Sequence, residues 1–261
     1  MKTILITGAG TGLGKAAALA LAQKGHRVYA TTIDEAQAGQ INELGRAEGL
    51  RLEGFKLDVT LEPDRQKIVG LELDVLLNNA GVGYSGSLAE LDVDIVRKNF
   101  EINVFGPIRL TQIALTGMIA RKRGTVMLVS SIAGRITAPF LASYCMTKYA
   151  LEAAGEALRG EMEMLGAGIK VCLIEPGPYN TGFNKWIMEN KFDWMEKGSY
   201  FRDRVEAMKE QDAMVLAQME VQDISSIIDK IVSAAESDNP DLRYFAPEHL
   251  LPLVKEAENA R

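Results

Sequence analysis

A glycine-rich stretch near the amino terminus constrains the fold of this chain more than any other feature. An apolar run, Thr3–Ile6, leads into Thr7-Gly8-Ala9-Gly10-Thr11-Gly12-Leu13-Gly14, and a helical pattern follows from residue 15. Small residues let the backbone turn sharply and approach a pyrophosphate, which then binds at the helix amino terminus. The G-x-G-x-x-G template fails here, and the spacing that fits is T-G-x-x-x-G-x-G. The stretch predicts a dinucleotide site, with a merely tight strand–helix turn as the alternative.

Short apolar runs alternate with helical patterns along most of the chain. The runs are typical of buried parallel strands and span residues 3–6, 27–31, 51–55, 75–77, 125–129, 170–174 and, more weakly, 242–245. The helical patterns span residues 15–24, 35–47, 92–121, 144–165 and 223–236. This succession predicts an α/β, three-layer Rossmann fold, with a seven-stranded, mostly parallel sheet and helices on both faces. Because no Pro/Gly/Ser-rich linker divides the chain, we expect a single domain over residues 1–261.

The composition argues against several classes of function. With 29 basic and 35 acidic residues the formal net charge is −6, which does not suit a phosphate backbone, so we expect no nucleic-acid partner. The two histidines and the two cysteines, Cys145 and Cys172, are too few for a Cys/His metal site. Two cysteines without the spacing of a disulfide framework suit a reducing compartment. No apolar run approaches the ~18 residues of a membrane span, and no secretory signal precedes the fold. We therefore expect a cytoplasmic protein with no metal site and no membrane partner.

The end of the second predicted strand leaves the choice of dinucleotide open. An Asp or Glu at its tip would bind the adenine ribose 2′-hydroxyl, whereas an Arg would favour a 2′-phosphate. The sequence has Thr32 at that position and Ile33 after it, and Asp34 comes two residues late, where it suits the cap of the next helix. We therefore expect NAD(P)(H) with Thr32 as a contact, and the sequence does not choose between NAD and NADP.

The ends of the third and fourth predicted strands add further candidates. Asp58 and Val59 follow the third strand, where Asp58 either hydrogen-bonds the adenine or caps the next turn. The fourth strand ends in Asn78-Asn79-Ala80-Gly81, in which the Asn side chains can bond neighbouring backbone while Ala80 and Gly81 leave room for a ribose. A plain Asn-rich turn would look similar.

Ser131, Tyr144 and Lys148 are the sharpest catalytic candidates. Ser131 closes the fifth predicted strand, and Tyr144 and Lys148 are four residues apart on a predicted helix, so their side chains share one face. A phenol has an ordinary pKa of about 10, and a neighbouring ammonium, helped by a positively charged nicotinamide, favours the phenolate. Tyr144 could then exchange a proton with an alcohol or carbonyl whose oxygen Ser131 holds. Taken singly, a Tyr-x-x-x-Lys pair is usually a solvated helix face and Ser131 a capping serine, but their occurrence together with the glycine-rich loop favours a site.

With these motifs in this order, the chain resembles the short-chain dehydrogenase/reductase family in its single-domain form, over residues 1–181. The family's cofactor motif T-G-x-x-x-G-x-G is read here as Thr7, Gly8, Gly12 and Gly14, and its N-N-A-G as residues 78–81. The family's catalytic set Asn-Ser-Tyr-Lys carries over onto Asn103, Ser131, Tyr144 and Lys148. The chain departs from the family at the tip of the second strand, where the usual acid or base is missing.

The resemblance implies further roles for individual residues. From the residues alone, Asn103 is a buried polar group that bends its helix or holds a water, and the family implies a water that links Lys148 to solvent. The backbone of Pro176 and Gly177 is implied to hold the nicotinamide carboxamide, and Thr181 the amide or the pyrophosphate, with a capped Pro/Gly loop as the alternative. The complete expected cofactor set is Thr7, Gly8, Gly10, Thr11, Gly12, Leu13, Gly14, Thr32, Asp58, Val59, Asn79, Ala80, Gly81, Tyr144, Lys148, Pro176, Gly177 and Thr181.

Residues 182–220 interrupt the alternation of strands and helices at a point where α/β folds need only a short link. The segment is rich in aromatic residues and methionine, which suits a large apolar or aromatic substrate, because Met adapts to irregular shapes and aromatic rings bury much area. We expect a helical substrate lid, with a helical cap over the core or an oligomer contact as the alternative. If the family geometry holds, Arg135, Phe140 and Leu141 line the same pocket.

The sequence thus predicts an NAD(P)-dependent oxidoreductase that transfers a hydride between the nicotinamide and the carbonyl or secondary alcohol of a bulky substrate, with Tyr144 as general acid/base. One alternative is a non-catalytic, dinucleotide-sensing regulator. Another is a lyase resembling the halohydrin dehalogenases, which have Arg in the lysine position and lack the glycine-rich loop. The family also implies a homodimer or homotetramer on helices 92–121 and 144–165, with apolar residues beyond one face at Ile113, Leu115 and Met118.

Overall fold

The computed structural model describes residues 1–259, and in this range seven strands form one sheet. The strands are β1 (Thr3–Ile6), β2 (Arg27–Thr32), β3 (Leu52–Lys56), β4 (Val75–Asn78), β5 (Gly124–Val129), β6 (Ile169–Pro176) and β7 (Arg243–Ala246). They lie in the order β3-β2-β1-β4-β5-β6-β7, and each neighbouring pair is parallel. The predicted seven-stranded Rossmann sheet is confirmed. Residues 260 and 261 of the predicted domain lie outside the described residues.

Helices connect these strands and cover both faces of the sheet. They are α1 (Gly12–Gln23), α2 (Glu35–Ala47), α3 (Glu62–Arg65), α4 (Val93–Phe100), α5 (Gly106–Arg121), α6 (Ala142–Leu165), α7 (Phe183–Glu189), α8 (Phe192–Gly198), α9 (Val205–Met219), α10 (Ser225–Glu236) and α11 (Leu251–Asn259). The single helix predicted over residues 92–121 is divided, because a π turn, Glu101–Phe105, joins α4 to α5.

Alternating side chains of the strands pack against two helical layers. Ile4 and Ile6 of β1 pack with Leu21 of α1 in the apolar cluster on one face of the sheet. Leu5, between them, packs with Leu110 of α5 in the cluster on the other face. All five side chains are fully buried. Because helices cover both faces, the strands need apolar residues at successive positions, which is why they appear in the sequence as continuous apolar runs.

The apolar residues expected beyond one face of α5 belong to the core. Leu115 and Met118 are buried, and Ile113 packs against the same cluster. The expectation of an exposed apolar face at these positions is wrong, because they continue at helical spacing the stripe of Leu110 that faces the sheet. The exposed large apolar residues near this helix are instead Phe105 and Ile108.

Residues 182–220 fold into α7, α8 and α9 around a small apolar cluster of their own. Phe192, Met195 and Val205 are buried in it, and the ring of Phe140, from the loop before α6, meets that of Phe201 edge-on with centroids 5.0 Å apart. The helical character predicted for this segment is therefore present. Across residues 1–259, no helix combines the length and the apolar composition that crossing a membrane requires.

Replacing Asn42 with Leu is expected to lower the free energy of unfolding by about 1–3 kcal/mol while leaving the fold unchanged. The Asn42 side chain on α2 donates to the Gly54 carbonyl at 2.8 Å and accepts from the Gly54 N–H at 2.7 Å, which fixes α2 on β3. Leu has a similar volume but makes neither hydrogen bond. Urea denaturation of both proteins measures the difference, and equal midpoints would contradict this role of the amide.

Candidate active site

The carboxyl ends of the strands border a cavity of about 940 Å³. The strand order reverses beside β1, with β2 on one side and β4 on the other, and open parallel sheets bind ligands at such a switch point. The predicted site residues that line the cavity are Gly8, Gly10, Thr11, Gly12, Leu13, Gly14, Asp58, Val59, Asn79, Ala80, Gly81, Ser131, Tyr144, Lys148, Pro176, Gly177 and Thr181. The fold therefore brings distant parts of the chain to one place.

Three of the predicted site residues, Thr7, Thr32 and Asn103, do not line this cavity. The buried Thr7 hydroxyl accepts hydrogen bonds from the backbone N–H groups of Asn79 and Ala80, both at 3.0 Å. It thus joins the end of β1 to the end of β4. Thr7 supports the two loops that line the cavity instead of facing it.

Thr32 is fully buried, and its hydroxyl donates to the Asp34 carbonyl at 2.8 Å. The next side chain, Ile33, is 55% exposed and lines the cavity together with Gln37. Successive side chains of an extended chain point to opposite sides, so one position decides which residue faces the cavity. The Asp34 carboxylate accepts from the Gln37 N–H at 2.8 Å, and so caps α2 as its position suggested.

Two glycines of the amino-terminal loop leave no room for a side chain. Gly8 has a φ of +63°, and a Cβ there would lie 2.7 Å from the Ala80 Cα. A Cβ on Gly14 would lie 2.4 Å from the Asn79 Nδ2 and 2.5 Å from the Gly8 oxygen. The Thr11 side chain does not cap α1, so the first N–H groups of that helix are available to an anion. These features fit the pyrophosphate of a dinucleotide.

Asp58 caps the turn after β3. Its carboxylate accepts from the Thr60 N–H at 2.8 Å and from the Thr60 hydroxyl at 2.7 Å. The same residue lines the cavity. The turn-capping alternative is therefore present in the structure, and the contact with an adenine stays a prediction.

Ser131, Tyr144 and Lys148 lie together on the cavity wall. The Ser131 hydroxyl, just after β5, is hydrogen-bonded to the Tyr144 hydroxyl and to the Pro176 carbonyl, the latter at 3.4 Å. Tyr144 and Lys148 occupy the first turns of α6. The Lys148 ammonium donates to the Val129 carbonyl at 2.8 Å and lies 5.5 Å from the centroid of the Tyr144 ring.

Burial dominates the titration of both groups on α6. It raises the pKa of the Tyr144 phenol above its ordinary value, and the hydrogen bond with Ser131 offsets this only in part. Burial also lowers the pKa of Lys148 to about 8, against the opposing effect of the Glu152 charge. The lowered tyrosine pKa expected from the Tyr-x-x-x-Lys spacing is thus not produced by the protein groups alone, because desolvation disfavours the phenolate.

Asn103, within the π turn, supports the loop after β4, which spans residues 79–92. Its Nδ2 donates to the Val82 carbonyl at 2.7 Å and to the Thr147 hydroxyl at 3.0 Å, and its Oδ1 accepts from the Val82 N–H at 2.8 Å. A Cβ on Gly81 would lie 3.3 Å from this Oδ1 and 3.9 Å from the Lys148 Nζ, so the two side chains approach the same point. Asn103 lies within the π turn, a feature frequent at functional sites, and both roles considered from the sequence stay predictions.

Tyr84 and Phe183 add aromatic surface to the cavity wall. The Phe183 ring meets the Tyr144 ring edge-on with centroids 6.0 Å apart, and the Tyr84 ring meets Trp186 in the same way at 5.2 Å. Tyr84 was not among the residues predicted from the sequence. The available signal was its place three residues after Gly81, in the loop at the carboxyl end of a parallel strand, where ligand contacts concentrate.

Arg135, Phe140 and Leu141 do not belong to the described residues that line the cavity, contrary to the expectation. Arg135 follows the 3₁₀ turn Ile132–Gly134 and pairs with Glu175, so it points away from the cavity. Phe140 packs in the apolar cluster of the 182–220 segment. The chain between β5 and α6 therefore directs Arg135 and Phe140 toward other partners and not into the cavity.

Asn190, at the end of α7, ties the 182–220 segment to the loop after β4. Its Oδ1 accepts from the Ser85 N–H at 3.0 Å, and its Nδ2 donates to the Gly83 carbonyl at 3.0 Å and to the Trp186 carbonyl at 2.8 Å. The loop that carries Tyr84 is therefore held in part by the segment itself.

A cluster of charged groups adjoins Pro176. Two guanidinium groups, those of Arg135 and Arg243, pair there with the carboxylates of Glu152, Glu156, Glu175 and Glu258. Glu175 is fully buried and lies 3.1 Å from the Arg135 Nη1 and 2.9 Å from the Arg243 Nε. Burial, followed by the charge of Glu152, raises the pKa of Glu175 to about 7. The Glu175 carboxyl therefore keeps its proton to a higher pH than an ordinary glutamate does, although Arg135 and Arg243 act in the opposite direction.

Residues 2–191 match the family model described as short chain dehydrogenase, and the chain belongs to this family. It is thus an oxidoreductase of the class that acts on CH–OH groups with NAD or NADP. The family, the fold and the enzyme class predicted from the sequence are confirmed.

Relatives resemble the chain over nearly its whole length. Human 17-beta-hydroxysteroid dehydrogenase type 1 is 31% identical over an alignment of 265 positions, which covers 97% of this chain and 79% of the relative. Retinol dehydrogenase 8 from Bos taurus is 32% identical over an alignment of 267 positions, which covers 97% of this chain and 84% of the relative. A short-chain dehydrogenase of known structure from Streptomyces avermitilis is 28% identical with a TM-score of 0.81, covering 99% of this chain and 93% of that one.

Replacing Glu175 with Gln is expected to remove a pH-dependent contribution to stability. The folded-state pKa of about 7 lies above the ordinary 4.5, so the contribution of the wild-type carboxyl is fully present below pH 4.5 and is lost as the pH rises through about 7. The thermal midpoint of the wild type, measured relative to that of the variant by calorimetry, should therefore fall over this range. A difference that does not change with pH would contradict the raised pKa.

Proposed function

We propose that the protein transfers a hydride between the nicotinamide of NAD(P)(H) and the carbonyl or secondary alcohol of a bulky, apolar or aromatic substrate. The observation that carries this proposal is that Ser131, Tyr144 and Lys148 share one cavity with the rings of Tyr84 and Phe183. The hydroxyl groups offer polar contacts to one substrate oxygen, and the rings offer apolar surface to the rest of the molecule.

Tyr144 is the proposed general acid/base. In the oxidation direction its phenolate takes the proton of the alcohol, and in the reduction direction its hydroxyl donates a proton to the carbonyl oxygen. Ser131, already hydrogen-bonded to Tyr144, holds the same substrate oxygen in place. Both side chains are buried at the cavity wall, which keeps bulk water away from the exchanged proton.

Lys148 and Asn103 act on the proton of Tyr144 indirectly. The Lys148 ammonium, 5.5 Å from the Tyr144 ring, favours the phenolate and is placed to contact ribose hydroxyls. When bound, NAD(P) supplies the hydride donor or acceptor and, in its oxidised form, a positive ring charge that acts in the same direction. Asn103 maintains a water link from Lys148 to solvent. Since both amide hydrogens of Asn103 are already used, this water would donate to the Asn103 Oδ1 or to a backbone carbonyl.

The cofactor contacts are proposed from the cavity lining. Residues 8–14 at the start of α1 hold the pyrophosphate, Asp58 and Val59 the adenine, and residues 79–81, 176, 177 and 181 the ribose and nicotinamide, while Thr7 and Thr32 support the surrounding backbone. The side chains that line the cavity after β2, Ile33 and Gln37, carry no charge. We therefore propose use of both NAD and NADP.

The substrate class follows from the side of the cavity next to the 182–220 segment. Phe183 opens α7, and its contact with the Tyr144 ring places apolar surface beside the reacting oxygen. Two of the relatives are named for hydroxysteroid and retinol, which are bulky apolar alcohols. We propose that the 182–220 segment acts as the substrate lid and that ketones or alcohols of comparable size are accepted.

We further propose a cytoplasmic, single-domain enzyme that assembles as a homodimer or homotetramer through α5 and α6. Phe105 and Ile108 leave apolar surface exposed where α5 begins. Cys145 and Cys172 are buried and free, which suits a reducing compartment.

Changing Tyr144 to Phe is expected to lower turnover by about 10²–10⁴-fold, because it removes the group that exchanges the proton while keeping the ring. Cofactor affinity, followed by NADH and NADPH fluorescence titration, should change little in the variant. Wild-type turnover by the Phe variant with every accepted carbonyl substrate would refute the role of Tyr144.

Changing Phe183 to Ala is expected to raise the KM for a polycyclic ketone by about tenfold, since truncating a large aromatic contact costs about 1–3 kcal/mol. The KM for a small ketone such as butanone should change by less than about threefold, because so small a molecule covers little of this ring. Phe201→Ala is the matched control, because Phe201 packs on Phe140 outside the cavity lining. An equal effect of both variants on the polycyclic ketone would contradict the proposed substrate wall.

A further inference from the structure

Asn99 repeats the contacts of Asn103 one helical turn earlier. Both side chains are fully buried. The Asn99 Oδ1 accepts from the Tyr84 N–H at 3.0 Å, and its Nδ2 donates to the Tyr84 carbonyl at 2.9 Å and to the Ser143 hydroxyl at 2.6 Å. Asn103 makes the equivalent three hydrogen bonds, two to the Val82 backbone and one to the Thr147 hydroxyl of α6. Two amides of the α4–π-turn region thus hold the loop after β4.

The spacing of the partners explains why the pattern repeats. Val82 and Tyr84 are two residues apart, which in an ideal extended chain is a rise of about 6.6 Å. Asn99 and Asn103 are four residues apart, which in an ideal α-helix is a rise of about 6 Å. On the other side, Ser143 and its counterpart for Asn103, Thr147, are also four residues apart, in α6. The loop, the asparagines and α6 therefore stay in register.

Asn99 connects the substrate wall to the catalytic helix. Both backbone polar groups of Tyr84 bond to Asn99, and the Tyr84 ring lines the cavity, with the Lys98 Nζ 4.6 Å from its centroid. On α6, Ser143 directly precedes Tyr144. Asn99 takes no part in the hydrogen bond between Asn103 and Val82 or in the one between Ser131 and Tyr144.

We propose that Asn99 is a positioning residue for substrate specificity, which fixes Tyr84 as a wall for the bulky substrate without taking part in proton transfer. This inference rests on the proposed function. Loss of the amide releases both polar groups of the Tyr84 backbone, so the ring loses its fixed place in the cavity. The hydrogen bond between Ser131 and Tyr144 and the loop around residues 8–14 are untouched.

The test compares three variants with the wild type. Asn99→Leu removes all three hydrogen bonds at similar volume. If this variant does not fold, Asn99→Ser, which leaves room for water, is used in its place. Ser143→Ala removes only the contact to α6. Asn42→Leu deletes an equivalent pair of amide–backbone hydrogen bonds on α2, remote from the cavity, and controls for lost stability.

The kinetic result expected is a change in KM alone. With a polycyclic ketone, Asn99→Leu should raise KM by about tenfold and change kcat by less than about threefold, because an apolar wall contacts substrate and transition state alike. The Kd of NADH and NADPH should stay within about twofold of the wild type. Asn42→Leu and Ser143→Ala should leave KM within about twofold. A loss of kcat in Asn99→Leu, or an equal rise of KM in Ser143→Ala, would overturn the proposal, because Asn99 would then act through α6.

Hydrogen exchange separates failure of this inference from failure of the proposed function. Peptides that span residues 82–86 should exchange faster in Asn99→Leu than in the wild type, and at the wild-type rate in Asn42→Leu. If exchange rises but the wild type reduces no bulky ketone and oxidises no bulky alcohol, the proposed substrate class is refuted, and the specificity role with it, while the tie between Asn99 and Tyr84 is upheld. If bulky substrates are turned over and exchange or KM is unchanged in Asn99→Leu, the role of Asn99 is refuted and the proposed function is upheld.

Discussion

The reversal of strand order beside β1 is the constraint on which the rest of the site depends. Because β2 and β4 lie on opposite sides of β1, the chain leaves β1 toward the α1 layer and leaves β4 toward the α5 layer, and a crevice opens between them. The two loops that border this crevice, after β1 and after β4, must be held together where they leave the sheet. The Thr7 hydroxyl and the Asn79 amide do this, with hydrogen bonds of 2.9 to 3.1 Å between the two loops.

The features that the sequence predicted well are those set by local pattern. Strands buried on both faces appear as continuous apolar runs, so the seven strands and the long helical stretches between them could be located from residue type alone, whereas the short helices α3 and α11 and the π turn could not. The glycine-rich loop and the pair of Tyr144 and Lys148 are also local, because a turn and a helix face each fix the direction of a few side chains. Their assembly in one cavity then follows from the parallel sheet, which collects strand ends at one edge.

The features that the sequence did not predict depend on contacts between distant segments or on a single-residue change of direction. Ile33 lines the cavity in place of Thr32 because adjacent side chains point to opposite sides. Arg135 turns toward Glu175, a partner that lies 40 residues further along the chain. Tyr84 and Asn99 lie on different elements, and their pairing appears only once the loop after β4 is seen against α4. Spacing alone does not carry such information.

Because Asn190 hydrogen-bonds to both, the 182–220 segment and the loop after β4 are expected to evolve together. The segment carries Phe183 and Trp186, the loop carries Tyr84, and the Asn190 amide bonds to the backbone of both. A segment transplanted alone from a relative would therefore meet a loop shaped for another partner. Divergence of substrate choice on this scaffold is expected to proceed by paired changes in the two, and chimeras should exchange residues 82–91 together with the segment.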